Sequence, residues 1–300
     1  MRQVIVNPKT PYDFALMMNR PLSRRSALFA FDTVRQMYLS SMNLNDGTVV
    51  PYSYTNLGTL DVPKIAIEQY AQLHPLAETR VLSRLYTALG IDVDLTDFYQ
   101  RLQTDIAWSQ WMSQVWGLRL FVEPDPFASI VKTMIGQQLN VAFAATLVDR
   151  LATTFGTRLD VDGLVIHTFP SAQTMAGLTY EALQALQFSR RKAEYVIDIA
   201  RTVVEGRLSL DDLQGVSDDE EVITRLAEQR GIGRWTAECF LLFALGRSDV
   251  FPANDIGVLN ALKQVYSLSV RPSPKEARVM AESWRPWRSY YTYCLWQSLI

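Results

Sequence analysis

The spacing of apolar residues changes character near residue 75. Before that point Pro11, Pro21, Pro51 and Pro63 cut the chain into short elements that read as strands with some helix. Asn45-Asp46-Gly47 separates Val34–Leu44 from Thr48–Tyr54, which predicts a hairpin with a glycine in its turn. From Leu76 the period becomes helical. Leu82, Leu85, Tyr86 and Leu89 fall on one face and stop at Gly90. Similar spacing predicts helices over Phe127–Ile135, Val141–Phe155, Tyr180–Leu186, Lys192–Glu205, Val222–Gln229, Trp235–Leu245, Ile256–Tyr266, Pro274–Ser283 and Pro286–Leu299. No internal repeat interrupts the series. The reading is an α+β chain: a small antiparallel α/β domain over 1–75, then a mainly helical body over 76–300 with a helical hairpin at 222–245.

Composition narrows the picture. The 300 residues are 48% hydrophobic, ample for two cores, and 20% charged without a low-complexity tract, which argues against disorder. Met1 to Thr10 mix polar and apolar residues, and charge interrupts the later apolar stretches. Neither a signal peptide nor a membrane span is expected, so the reading is a cytoplasmic protein with no membrane partner. Cys239 and Cys294 each sit inside an apolar helical pattern, as buried reduced thiols do. Two cysteines cannot hold a four-cysteine iron–sulfur cluster, and His74 and His167 lack cysteine or histidine partners at ligand spacing. No metal centre is expected. A net charge of −2 and a pI near 5.8 are not those of a chain that coats nucleic acid. Positive charge is local: Arg190-Arg191-Lys192, Arg234, and Arg285 with Arg288.

The densest chemical signal is Arg230-Gly231-Ile232-Gly233-Arg234-Trp235-Thr236-Ala237, between two of the predicted helices. Two glycines allow a turn too tight for a Cβ, with Ile232 packing between the helices. The second helix then opens with uncapped N–H groups at Arg234 to Ala237. Free N–H groups and the helix dipole both favour an anion there. Gly231, Gly233, Arg234, Thr236 and Ala237 are therefore candidate contacts to a DNA phosphate. Phe251-Pro252-Ala253-Asn254-Asp255 follows, and a loop of that length can return Asp255 to the hairpin mouth. Asp255 also precedes Ile256-Gly257-Val258-Leu259, so it reads equally as a helix N-cap. The two roles are compatible.

This combination resembles the helix-hairpin-helix DNA glycosylases, in which a Gly/Pro-rich loop and an aspartate follow the hairpin. It is most similar to their alkylbase branch, that of 3-methyladenine DNA glycosylase II. Ile135-Gly136-Gln137-Gln138-Leu139, Phe188-Ser189-Arg190-Arg191-Lys192-Ala193 and Arg285-Pro286-Trp287-Arg288-Ser289-Tyr290 carry the likeness from about Pro126 onward, with Pro11-Tyr12-Asp13 before it. The resemblance implies a two-lobed body with a cleft and Asp255 as the catalytic carboxylate. Trp235 occupies the position that is a lysine nucleophile in members that also cut the backbone, which implies a monofunctional enzyme. Trp235, Trp296 and Cys239 would line the pocket for an everted base, and Gln138 or Leu139 would be the wedge that fills its place. Among Trp284, Trp287, Tyr290, Tyr293 and Trp296, spaced by three, most are expected in the core. Asn254 stands where some relatives carry a second aspartate. No cofactor is implied, apart from a monovalent cation at the hairpin carbonyls. The expected partner is duplex DNA with alkylated bases, met by a monomer in the bacterial nucleoid. Competing readings are an oxidised-purine glycosylase with lyase activity and a catalytically silent hairpin protein that binds DNA.

Overall fold

Five N-terminal strands pair antiparallel in the order β1-β5-β4-β3-β2: β1 (Arg2–Val6), β2 (Ala30–Asp32), β3 (Met37–Asn43), β4 (Val49–Asn56) and β5 (Ile65–Gln69). This computed structural model describes residues 2–22 and 26–299, so Met1 and Ile300, the outer ends of the two expected domains, lie outside it. The expected hairpin is β3–β4, in register from Asn43↔Val49 to Met37↔Thr55. Its turn closes with Gly47 N–H donating to the Leu44 carbonyl at 2.9 Å, and Gly47 takes φ +84. The expected strand Val34–Leu44 starts later than predicted. Val34 is 91% exposed and Gln36 adopts φ +51, because this segment turns between β2 and β3.

Tyr38, Met42, Tyr52 and Tyr54 bury against α1 (Phe14–Leu22) and α2 (Pro75–Leu89). Proline at the start of α2 and Gly90 at φ +59 beyond its end delimit that helix, as the spacing predicted. Val81, Leu85, Leu89 and Ile91 belong to the core beneath the sheet. The first core therefore runs past the boundary expected at 75, since a lone sheet face needs a helix to cover it.

The helices that follow are α3 (Thr96–Thr104), α4 (Met112–Val115), α5 (Pro126–Gly136) and α6 (Val141–Phe155). After them come α7 (Ala172–Ala176), α8 (Tyr180–Ala185), α9 (Arg190–Val204), α10 (Asp219–Ala227) and α11 (Arg234–Phe243). The last are α12 (Ile256–Val265), α13 (Pro274–Ala281) and α14 (Arg288–Gln297). A second small hairpin, β6 (Arg158–Val161) with β7 (Leu164–His167), interrupts the helical body. It turns through Asp162 and Gly163, both at positive φ. Asp162-Gly163 between the apolar Val161 and Leu164 was its one sequence signal.

Two cores divide the helical body. One gathers residues of α5, α6 and α9 to α11. The other joins Leu95–Val122 to Phe251–Leu295, so it is built from two stretches far apart in sequence. Phe243 and Trp296 pack against both, stacked with ring centroids 5.4 Å apart. The candidate site lies at this junction.

Candidate active site

Gly231 and Gly233 have different reasons to be glycine. Gly231 adopts φ +89, and a Cβ there would lie 2.4 Å from Cγ of Tyr195. No side chain fits. Gly233 has φ −100, and a Cβ would meet nothing within 4 Å. The expectation that both glycines serve a tight turn is corrected at Gly233, which faces open space at the start of α11. Ile232 is buried as expected, its N–H bonded to the Gln229 carbonyl at 3.1 Å.

Gly233 is the N-cap of α11 and offers no side-chain cap. The N–H groups of Arg234, Trp235 and Thr236 thus begin the helix without intrahelical acceptors. Ala237 does not join them: its N–H donates to the Gly233 carbonyl at 3.1 Å, and the residue is fully buried. Thr236 is buried as well, its hydroxyl accepting from Gln137 Nε2 at 2.8 Å, so only its backbone is available to a ligand. Arg234 turns its guanidinium away, to Glu220 at 2.9 Å and Glu238 at 3.0 Å. The hydrogen bond to Glu220 raises its pKa further. Burial pushes the Glu238 carboxyl up, opposed by Arg278 and Arg234. The hairpin mouth therefore presents free backbone N–H groups, while the Arg234 guanidinium beside them is already paired with carboxylates.

Asp255 caps α12, its Oδ1 accepting from Val258 N–H at 2.8 Å. Two indoles complete its environment. Trp296 Nε1 donates to Oδ1 at 3.0 Å, and Trp235 Nε1 donates to Oδ2 at 3.1 Å. Three N–H donors thus fix the orientation of a half-exposed carboxylate between α11 and α14. Gly257 admits this packing, since a Cβ there would lie 3.0 Å from Asp255 Oδ1 and 3.3 Å from Trp296 Nε1. The sequence reading had not singled out Gly257, although a glycine in a helix's first turn was its available signal. Asn254 is exposed beside the site.

Cys239 does not line an open pocket. It lies one turn beyond Trp235 but is only 2% exposed, turned into the interior of the body. Phe243, another turn on, instead stacks on Trp296. Of the aromatic stripe, Trp284 stacks on Tyr291 in the second core, Trp287 donates to the exposed Asp97, and Trp296 reaches the Asp255 carboxylate.

The turn after α5 carries Gln138 and Leu139. Gln138 is exposed at φ +57, projecting from the tip, while Leu139 is half-buried against the first lobe's core. Gln137, which the sequence reading passed over, joins this turn to the hairpin. Its Nε2 donates to the Gly231 carbonyl at 2.9 Å and to the Thr236 hydroxyl at 2.8 Å.

With this geometry in hand, residues 131–289 match the family described as HhH-GPD superfamily base excision DNA repair protein. The chain belongs to that superfamily. Among relatives, YfjP of Bacillus subtilis is 39% identical over 183 residues, covering 61% of this chain and 62% of that protein. DNA-3-methyladenine glycosylase 2 of Escherichia coli is 37% identical over 180 residues, covering 60% of each. The matched region thus spans about three fifths of both relatives. In architecture the chain is similar to the 3-methyladenine DNA-glycosylase from Archaeoglobus fulgidus, with a TM-score of 0.81, 24% identity, and coverage of 99% of this chain and 97% of that one. That likeness establishes the fold: a small antiparallel sheet followed by a two-lobed helical body. Among the described residues no helix is long and apolar enough to cross a membrane.

Proposed function

We propose that this protein is a monofunctional DNA glycosylase that hydrolyses the N-glycosidic bond of alkylated purines, such as 3-methyladenine and 7-methylguanine, after everting the base from duplex DNA. The observation that carries this reading is the Asp255 carboxylate held between the indole N–H groups of Trp235 and Trp296, next to an uncapped helix start. The Arg234–Thr236 N–H groups receive a phosphate and anchor the strand. An everted purine meets indole faces, which favour a cationic alkylated ring. As the C1′–N bond breaks, its electron pair leaves with the base and positive charge grows on the sugar. Asp255 stabilises that charge, and water then adds to C1′ and gives up a proton. A base that is already cationic departs neutral, so the pocket needs little general-acid help. The products are free base and an abasic site.

Trp235 provides no amine to form an imine, which disfavours a lyase. A monovalent cation at the hairpin carbonyls would share the Gly231 oxygen with Gln137, and no step here depends on one. The proposed enzyme acts on duplex DNA as a monomer.

Incubation with methylated duplex DNA should release free alkylpurine and leave an intact strand that breaks only on alkali treatment. Borohydride during turnover should trap no protein–DNA adduct. Efficient trapping, or strand cleavage without alkali, would place the chain among the lyases instead. DNA binding without base release would support the silent-binder reading.

A further inference from the structure

The basic run Arg190-Arg191-Lys192 does not act as one surface patch. Arg190 points outward and pairs with Glu194, but Lys192 turns inward from the first turn of α9. Its ammonium donates to three carbonyl oxygens, those of Met134 at 2.9 Å, Ile135 at 2.8 Å and Gln137 at 3.0 Å. These lie at the last turn and C-cap of α5, where carbonyls run short of helical donors and the helix dipole is negative. An ammonium has three donors, and all of them are used. Burial lowers its pKa to about 8.

The consequence lies one residue further along. Gln137, whose carbonyl Lys192 grips, sends its own amide to the Gly231 carbonyl and the Thr236 hydroxyl of the hairpin. Gln138 follows at φ +57, a conformation a non-glycine residue holds only where its surroundings enforce it. One continuous set of bonds therefore runs from α9 through the turn to the hairpin.

We propose that Lys192 is a positioning residue for base eversion: its ammonium locks the Gln137–Leu139 turn against the hairpin, so that the wedge enters the duplex in fixed register with the gripped phosphate. This rests on the reading of Gln138 and Leu139 as the wedge. Lys192 touches no substrate; it acts through Gln137 and the shape of the turn.

The test compares single-turnover base release from 7-methylguanine in continuous duplex with release from the same lesion in a bulge, where unstacking is already done. Lys192→Met should lower the duplex rate by about tenfold or more, the scale of a small misplacement, and the bulge rate far less. Gln137→Leu cuts the same connection from its other end and should show the same duplex-selective loss, which keeps the test decisive if Lys192→Met folds poorly. Equal loss on both substrates would mean a purely structural lysine and would overturn the proposal. Gln138→Ala and Leu139→Ala, measured in parallel, separate the two layers. If either loses duplex activity selectively while Lys192→Met and Gln137→Leu do not, the wedge stands and the positioning role falls. If none is selective, both fall together.

Discussion

At the scale of residues, the site is built around one carboxylate that a helix end and two indoles hold in place. Asp255 caps α12 through Oδ1 while both its oxygens receive indole N–H groups. The N-cap reading of the sequence is thus correct, and the same geometry is compatible with the catalytic role proposed for Asp255. Gly257 is the residue on which that geometry turns. In Gly257→Ala the new Cβ meets Asp255 Oδ1 and Trp296 Nε1 within 3.3 Å, so the carboxylate or the indole must shift. Base release should fall roughly tenfold to a hundredfold, the cost of displacing a reacting group by a fraction of an ångström to one ångström. The melting temperature should change little, because alanine suits a helix better than glycine. An unchanged excision rate would mean that the Asp255–Trp296 contact is dispensable. The return of Asp255 to the hairpin at Trp235 was legible because motif spacing marks both residues. Cys239 was misread because four-residue spacing fixes an angle around a helix but not what covers that face.

At the scale of elements, the hairpin separates folding constraints from binding constraints. Gly231 is held by its positive φ and by the ring of Tyr195, whereas Gly233 is constrained by neither backbone nor neighbour. Gly231→Ala should therefore destabilise the protein by about 1–3 kcal/mol or more, through strain and clash. Gly233→Asp should leave stability equal or raise it by about a few tenths of a kcal/mol, because aspartate is a better N-cap than glycine. Its affinity for duplex DNA should nevertheless drop, since the new carboxylate competes for the N–H groups that meet a phosphate. Thermal melting paired with a binding titration checks both variants. Gly233→Asp binding DNA as tightly as the wild type would refute the backbone clamp. The helices of the predicted spans were legible, since an apolar stripe of several turns has a clear period, whereas α1, α3, α4 and α7 are short and were not placed. The β6–β7 hairpin was not, because four-residue strands with half-exposed faces leave too few positions to establish alternation.

At the scale of the whole molecule, the second lobe combines Leu95–Val122 with Phe251–Leu295, and the first lobe fills the interval. Periodicity reports each helix but is silent about which distant helices share a core, so the lobe boundary could come only from the structure or from resemblance. The site follows from this crossing of the chain: α11 leaves the hairpin in one lobe, and α12 and α14 bring Asp255 and Trp296 from the other. The near-neutral charge also makes sense at this scale. Arg230, Arg234, Arg285 and Arg288 are each tied to carboxylates, which fits the proposal that backbone amides rather than these side chains grip DNA. The proposed chemistry rests on the carboxylate placed at that crossing, and Asp255→Asn isolates it. Asparagine also caps helices, so the variant should fold and bind an abasic-site duplex as the wild type does, while losing the negative charge. Single-turnover release of 7-methylguanine should fall by roughly a hundredfold or more, the scale for removing one charge stabiliser. Release within a few fold of wild type would reduce Asp255 to a helix cap and contradict the mechanism.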